Sequence, residues 1–382
     1  MVGLKKILRA AVVAILLFGL GFAVSEWLGT PPRFDLSQIE FPHAPREVNN
    51  MPVLEIFFAT NRAPVEGGGD FSSEAAKSLS YGIAEVRIPE QFRMTDVQRP
   101  EIPRGLSDPI RASILSVRQL TAVEFQKKLR ERLTQSGETR ATLFVHGIQN
   151  TFDSAVRQAG TLAFGLNLPQ PMVVFSWATD PGLSPTAYNR CREQVPAAAR
   201  GLTQFLQMEG ANNFDILAHS LGCKVVCRAL AQTDSDAIPV MAAGPLPNVI
   251  LVAPDVDKED FGEVFLTPGG AAVRHTTVYV ARNDQALVFS SLLNGAPRAG
   301  SNISPSTHVE ALFDEDAGNS SRVEIVDATF VNNAHTSHGY FYQNRAAFAD
   351  LQNLLRNDLP ACQRQLLRHE KAKHGNYWII PP

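Results

Sequence analysis

A short apolar segment that runs directly into a serine flanked by small residues is the strongest constraint on the fold of this 382-residue chain. Residues 213–219 have the composition of a buried strand, and residues 221–227 continue in a helical pattern. Ser220 lies between them, with Ala218 two positions before it and Gly222 two positions after it. Small residues at these positions let a strand turn sharply into a helix without side-chain collision. The segment therefore predicts a nucleophile elbow that presents the Ser220 hydroxyl.

Two main-chain donors are predicted beside this serine. The amide of Leu221 lies at the start of the helix, where the helix dipole favours negative charge on a carbonyl oxygen attacked by Ser220. Upstream, an apolar strand ends in His146 and Gly147, and Ile148 would supply the second donor. Either motif alone also occurs where strands and helices merely pack closely. Both in this order favour an oxyanion hole and acyl-transfer chemistry.

The acid and the base are expected later in the chain, because in folds with a nucleophile elbow of this kind the serine is followed first by the acid and then by the histidine. Three more strands are predicted after the elbow helix, over residues 248–253, 276–281 and 323–328. Asp284 follows the second of these strands and His338 follows the third, so both lie at the carboxyl edge of a parallel sheet. We predict that His338 takes the proton of Ser220 and that Asp284 orients and stabilises the imidazole.

Other residues compete for these two roles. Asp255 follows the preceding strand and could reach the same histidine, or it could cap a helix. Asp284 could likewise be only a helix cap. His335 lies three residues before His338 and is an alternative base, with His308 a more remote one. The sequence leaves these alternatives open.

Several ordered motifs are similar to those of a known family, namely residues 57–62, 146–147, 175–177, 217–222, 253–257, 283–284 and 295–300. Over residues 51–355 the chain resembles a bacterial alpha/beta-hydrolase family, the esterase/lipase-superfamily proteins of unknown function. The resemblance implies an α/β fold with a mostly parallel central sheet and helices on both faces. It also implies a serine-hydrolase site at Ser220, with Asp284 and His338 matching the family's acid and histidine. Ala218 replaces the usual first glycine of the elbow.

Some residues near these motifs are expected to support the site. The turn from Thr60 to Arg62 could brace the catalytic edge or simply close a structural turn, and both interpretations remain open. His146 and His219 are expected to shape the pocket floor and the elbow, because each is followed directly by an element that determines its backbone.

Two helices are predicted around the core. Helical spacing over residues 121–133 predicts a surface helix whose inward side chains are Val123, Leu129 and Leu133. Residues 185–208 predict a long helix interrupted near Pro196. Together with residues 294–321, this second helix is expected to overhang the serine and shape the entrance.

The first residues predict export. Three basic residues, Lys5, Lys6 and Arg9, precede an uncharged apolar run at residues 10–24, which indicates a signal peptide or short membrane anchor over residues 1–28. The basic residues predict a cytoplasmic N-terminus, with the remainder periplasmic or anchored at the inner membrane facing the periplasm. Membrane contact is expected through this segment if it is not cleaved. A proline-rich linker is predicted over residues 29–50.

The rest of the chain divides into three predicted parts: N-terminal strands of the hydrolase domain over residues 51–118, a catalytic core over residues 119–355 and a basic tail over residues 356–382. The tail is expected to be a solvated terminal helix. The four cysteines are too few for a disulfide scaffold, and buried packing is expected for Cys223 and Cys227, although one bridge remains open. A net charge of −3 leaves no basic field for nucleic acid. No cofactor and no metal site are predicted.

These observations predict a carboxylesterase that acts on a small-molecule ester through an acyl-Ser220 intermediate. Thioesters and amides are possible substrates of the same chemistry. An acyltransferase would need a second acceptor molecule. The alternative from another class is a catalytically silent scaffold of the same fold that binds an envelope partner.

Overall fold

The centre of the protein is one large sheet in the computed structural model, which describes residues 46–48, 51–66, 70–89, 112–182, 184–231, 246–265, 273–301, 323–332, 338–364, 368–370 and 376–382. The described strands are β1 Arg46–Val48, β2 Met51–Pro64, β3 Phe71–Arg87, β4 Ser113–Leu120, β5 Ala141–Val145, β6 Met172–Ser176, β7 Phe214–His219, β8 Leu246–Val252, β9 Val273–Val280, β10 Val323–Asp327, β11 Arg368–Glu370 and β12 Asn376–Ile379. The described helices are α1 Ala122–Ser136, α2 Phe152–Gly165, α3 Pro185–Glu209, α4 Leu221–Ala231, α5 Lys258–Phe265, α6 Gln285–Asn294, α7 Tyr340–Gln343 and α8 Arg345–Asn357.

The sheet is parallel in its middle and antiparallel at its ends. The strand order is β11-β12-β10-β9-β8-β7-β5-β6-β2-β3-β4, with β1 paired to β2. All pairs from β12 through β10, β9, β8, β7, β5 and β6 to β2 are parallel, whereas β2-β3-β4, β1-β2 and β11-β12 are antiparallel. The predicted α/β-hydrolase fold, with its mostly parallel sheet, is therefore confirmed. The N-terminal strands extend the same sheet through the β2-β6 pair.

Helices cover both faces of the sheet, because the central strands are apolar on both sides. Every residue of β5 and β7 is buried. In β5, Leu143 and Val145 belong to one buried cluster and Phe144 to the other, as expected when successive side chains of a strand point to opposite faces. The first cluster includes side chains of α1, α3, α4 and α5, and the second includes side chains of α2, α6, α7 and α8.

Two details of the helix predictions are wrong. The structure shows α3 continuing through Pro196 without interruption. Its neighbours Val195, Ala198 and Ala199 are buried in the first cluster, and this packing offsets the backbone hydrogen bond that proline removes. In α1, Val123 is 73% exposed instead of facing inward, because Phe125 and Leu129, four residues apart, form the buried stripe.

The described part of the C-terminal tail contains two strands of the sheet, Arg368–Glu370 and Asn376–Ile379, and not the solvated helix that we expected. After α8, the chain returns as β12, which pairs in parallel with β10. Arg364, one of the basic residues assigned to the tail, is fully buried and donates to Glu324 Oε2 at 3.1 Å and to Asp350 Oδ2 at 3.3 Å. The carboxylates that neutralise it belong to β10 and α8, so the sequence of the tail alone does not reveal its burial.

Residues 1–45 lie outside the described residues, and so does the predicted signal peptide or anchor. No helix within the described ranges is both long enough and apolar enough to span a bilayer. The predicted linker, residues 29–50, is wrong at its end, since Arg46–Val48 forms β1 and pairs with β2.

Candidate active site

Ser220 lies in the turn between β7 and α4, at the carboxyl edge of the sheet. Its φ is +55°, a left-handed conformation that costs a side-chain-bearing residue about 1–3 kcal/mol. Main-chain bonds hold this turn: the Ser220 amide donates to Val252 O at 3.0 Å, and the Asp255 amide donates to Ser220 O at 3.1 Å. A Cβ at position 222 would lie 2.4 Å from His146 O, so only glycine lets α4 pass the end of β5 this closely. The predicted elbow is therefore present.

His338 and Asp284 meet Ser220 in one hydrogen-bonded chain. His338 Nε2 lies 2.7 Å from Ser220 Oγ, and His338 Nδ1 lies 2.8 Å from Asp284 Oδ2. Asp284 is fully buried and follows β9, while His338 precedes α7. The other carboxylate oxygen, Oδ1, accepts from the Leu287 amide at 3.1 Å and caps α6. Asp284 thus fills both roles that the sequence left open, helix cap and histidine partner.

The surroundings of His338 determine how strongly its ring binds a proton. Burial of the ring lowers the pKa of His338, but the charge and hydrogen bond of Asp284, together with the charge of Asp255, outweigh it and leave the pKa raised above its ordinary value. Because a carboxylate only accepts, Nδ1 carries a proton and Nε2 is left to accept from the Ser220 hydroxyl. The ring is therefore arranged as a base toward Ser220.

The loop after β5 lies directly against the elbow. A Cβ at Gly147 would be 3.0 Å from Ser220 Cβ, so the two backbones are nearly in contact. Ile148 follows in this loop. Leu221 is the first residue of α4, and amides in the first turn of a helix have no partner within the helix. The structure thus places both predicted oxyanion donors on segments that flank Ser220.

Two neutral histidines support this arrangement. Burial and the nearby charge of Arg62 lower the pKa of His146 to about 3, and its ring bridges Gly147 O at 2.7 Å and the Trp177 amide at 3.2 Å. Burial and the charge of His338 lower the pKa of His219 well below its ordinary value. Its Nε2 lies 3.2 Å from His338 O, where it must donate. Both rings contact main-chain atoms of segments around the site.

Comparison with known proteins agrees with the fold. A family described as alpha/beta hydrolase of unknown function (DUF900) matches residues 121–357, more than half of the chain. The chain belongs to this family. The suspected resemblance to an alpha/beta-hydrolase family of unknown function is therefore confirmed, and Ser220, Asp284 and His338 all lie within the matched range.

Other relatives add little to this assignment. Phospholipase PlaB from Legionella pneumophila is similar at 16% identity, with a TM-score of 0.24 over 53% of this chain and 42% of that chain. The chain thus spans less than half the length of that phospholipase, and a TM-score this low supports no conclusion about activity. No curated protein sequence matches this member of the family significantly.

Asp255, the alternative acid, has hydrogen-bond partners other than the ring of His338, which bonds to Asp284. The Asp255 carboxylate accepts from the hydroxyl of Tyr188 at 2.9 Å and from that of Ser290 at 2.6 Å, and Arg298 Nε lies 3.3 Å away. These contacts join α3, α6 and the loop after β8 beneath the elbow. The alternative bases His335 and His308 lie outside the described residues.

Residues 294–321 were expected to shape the entrance, and only positions 294–301 are described. These residues lie against the loop after β8, where the Gly300 amide donates to Pro254 O at 3.0 Å. Arg298 also donates to Asp257 Oδ1 at 2.6 Å. This segment therefore braces the loop that follows β8.

The described cysteines are all free thiols. Cys223 and Cys227 are buried in α4, which confirms their packing role. Among the described residues, no group of three or more His, Cys, Asp and Glu side chains is placed to bind a metal.

The sequence alone did not identify Asn150 as a residue that holds the loop after β5. Asn150 lies at the end of the same loop as Ile148. Its side-chain amide donates to Gly147 O at 3.3 Å and to Ile148 O at 2.9 Å. A polar residue directly before the helix-capping Thr151 was the available signal, but such a residue is usual at a helix start.

Gly222→Ala is expected to disrupt the site because the new methyl group would press on the main chain of β5. We expect a loss of about 1–3 kcal/mol in the free energy of unfolding from overpacking. Activity should fall by about 10²-fold, since small displacements of reacting groups have effects of this size. Hydrolytic turnover and urea unfolding of the purified variant measure both quantities.

Gly262→Ala is the matched control, since a Cβ at this position in α5 has no heavy atom within 4 Å. Alanine there should stabilise the helix by up to about 1 kcal/mol and leave turnover unchanged. Equal behaviour of the two variants would contradict the close approach inferred at Gly222.

Proposed function

We propose that this alpha/beta hydrolase is a serine carboxylesterase that cleaves a small-molecule ester through an acyl-Ser220 intermediate. The observation that supports the proposal most directly is the continuous chain of hydrogen bonds from Ser220 Oγ to His338 and on to Asp284, at 2.7 and 2.8 Å. A serine hydroxyl is a weak nucleophile by itself, and a base within hydrogen-bond reach activates it.

In the proposed acylation step, Ser220 Oγ attacks the ester carbonyl carbon while its proton moves to His338 Nε2. The carbonyl oxygen becomes an oxyanion, which the amides of Leu221 and Ile148 stabilise. The tetrahedral intermediate then collapses: the bond to the alcohol oxygen breaks, and His338 returns the proton to the departing alcohol. Throughout, the buried Asp284 stabilises the imidazolium that forms between these two transfers.

Deacylation repeats these steps with water in place of the serine hydroxyl. His338 takes a proton from the attacking water, a second tetrahedral intermediate forms, and Ser220 leaves with the proton that His338 returns. The products are one carboxylic acid and one alcohol. All proton transfers in the cycle use the one Nε2 atom, so no bound metal is needed to generate the nucleophile.

A panel of p-nitrophenyl esters from acetate to decanoate tests this proposal. We expect turnover of at least part of the panel, with a burst of nitrophenol equal to the enzyme concentration if deacylation is slow. Parallel assays with a thioester and an anilide compare the other acyl substrates. Absence of turnover across all of them would favour the silent scaffold, and turnover only in the presence of an added acceptor alcohol would favour an acyltransferase.

A further inference from the structure

The direction of the Ile148 amide is determined by the carbonyl on the other side of the same peptide. A peptide unit is planar and trans, so the Gly147 C=O and the Ile148 N–H point in opposite directions. Gly147 O accepts from His146 Nδ1 at 2.7 Å and from Asn150 Nδ2 at 3.3 Å. These two donors hold the carbonyl in one orientation. The Ile148 N–H is consequently directed away from them.

The Asn150 side chain also controls the next peptide of this loop. Its Nδ2 donates to Ile148 O at 2.9 Å, while its Oδ1 accepts from Ser154 Oγ at 3.1 Å. Gln149, between them, has a φ of +62°, a conformation that costs a residue with a side chain energy and needs support from its surroundings. One amide group therefore links two successive carbonyls and holds a strained turn.

Asn150 is in turn anchored by a buried arginine. Its main-chain oxygen accepts from Arg62 Nη2 at 2.7 Å and from Thr179 Oγ1 at 2.5 Å. Arg62 is fully buried, and its Nε donates to Ser176 Oγ at 3.0 Å. The arginine thus connects the ends of β2 and β6 to the loop after β5, which is the bracing role that the sequence left open for residues 60–62.

We propose that Asn150, anchored by Arg62, is a positioning residue that aims the Ile148 amide at the oxyanion formed on the attacked carbonyl. This inference rests on the proposed serine-hydrolase function. Asn150 contacts neither Ser220 nor His338, and it acts through the orientation of the Gly147–Ile148 peptide. Its effect belongs to the transition state, in which the oxyanion exists, and not to the binding of the neutral ester.

Asn150→Asp and Asn150→Ala test the proposal, because both remove the two donated hydrogen bonds. We expect kcat to fall by about 10- to 100-fold with KM changed by less than about threefold, since removal of one oxyanion donor outright costs about 10²–10³-fold in kcat. Phenylboronic acid, which forms a tetrahedral adduct with an active serine, should lose affinity by a similar factor. Asn150→Ala adds no charge to the loop and decides the question if Asn150→Asp does not fold.

Thr151→Ala is the matched control for stability. Thr151 caps α2 next to Asn150, so the variant loses a helix cap while keeping both Asn150 donors. It should lower the unfolding temperature and leave kcat and the boronate affinity unchanged. This comparison separates positioning of the amide from a general weakening of the region.

The outcomes distinguish this inference from the proposed function. An active wild type with Asn150 variants of unchanged kcat, or of reduced kcat with unchanged boronate affinity, would overturn the positioning role alone. A wild-type protein that neither hydrolyses esters nor binds the boronate would overturn the proposed function and this inference with it.

Discussion

Ser220→Ala is expected to lower kcat for ester hydrolysis by on the order of 10⁶-fold, the size of effect seen when the nucleophile of a serine hydrolase is removed. The substitution deletes a single oxygen, the one that lies 2.7 Å from His338 Nε2. Ser220 is only 4% exposed, so loss of its hydroxyl should hardly change the surface or the fold. Steady-state kinetics of the purified variant, with thermal unfolding to confirm that it folds, measure the effect.

Ser116→Ala is the control for this experiment. Ser116 lies in β4 and donates to Glu85 at an exposed position, far along the sheet from the elbow strand β7. Its replacement should leave kcat unchanged. If Ser220→Ala kept more than a tenth of the wild-type kcat, another group would have to be the nucleophile.

Asp284→Asn is expected to lower kcat by about 10³–10⁴-fold, because an amide in this place no longer enforces the tautomer that leaves Nε2 free to accept. Asparagine is also a good N-cap, so the bond from the Leu287 amide and the start of α6 should survive. The loss would therefore report on His338 and not on the helix. The measurement is kcat/KM across a range of pH.

The same pH series carries a second readout of the Asp284 charge. In the wild type, kcat/KM should fall on the acid side of its pH profile, because a protonated His338 ring cannot act as a base. Since the pKa of His338 is raised above the ring's ordinary value of 6.5, this fall should lie above pH 6.5. Removing the carboxylate charge leaves burial as the main influence and lowers the pKa of His338. The acid limb of Asp284→Asn should accordingly move to lower pH, while its plateau falls.

Asp255→Asn is the matched control, since Asp255 is the other acid near the site. Its carboxylate contacts Tyr188, Ser290 and Arg298 and does not contact the ring of His338. We expect its effect on kcat to be at least about 100-fold smaller than that of Asp284→Asn, because the Nδ1 atom of His338 bonds to Asp284 and not to Asp255. A larger loss at Asp255 than at Asp284 would mean that the assignment of the acid is wrong.

The sequence predicts those parts of the site that depend on adjacent residues or on the common edge of parallel strands. Ser220 could be located because the small residues around it are required by a tight turn, and that requirement lies within five adjacent positions. Asp284 and His338 could be located because parallel strands bring their following loops to one edge. The sequence leaves Asp255 open as the acid, and only the structure shows that its carboxylate is occupied by partners from two helices.

What the sequence does not predict depends on partners that are distant in the chain. Arg364 looks like a basic tail residue until β10 and α8 place Glu324 and Asp350 beside it. Asn150 looks like an ordinary residue before a helix until the folded loop turns two carbonyls toward its amide. In both cases the residue type is visible in the sequence, whereas the burial and the contacts that give it a role arise only on folding.

The central claim, that Ser220 is the nucleophile, is tested most directly by locating a covalent adduct. Treatment with a fluorophosphonate, followed by proteolysis and mass spectrometry, should give one phosphonylated serine in the peptide that contains Ser220. Ser220→Ala should remain unlabelled under the same conditions. A wild-type protein labelled at a different residue, or a folded wild type that takes up no phosphonate at Ser220, would contradict the claim.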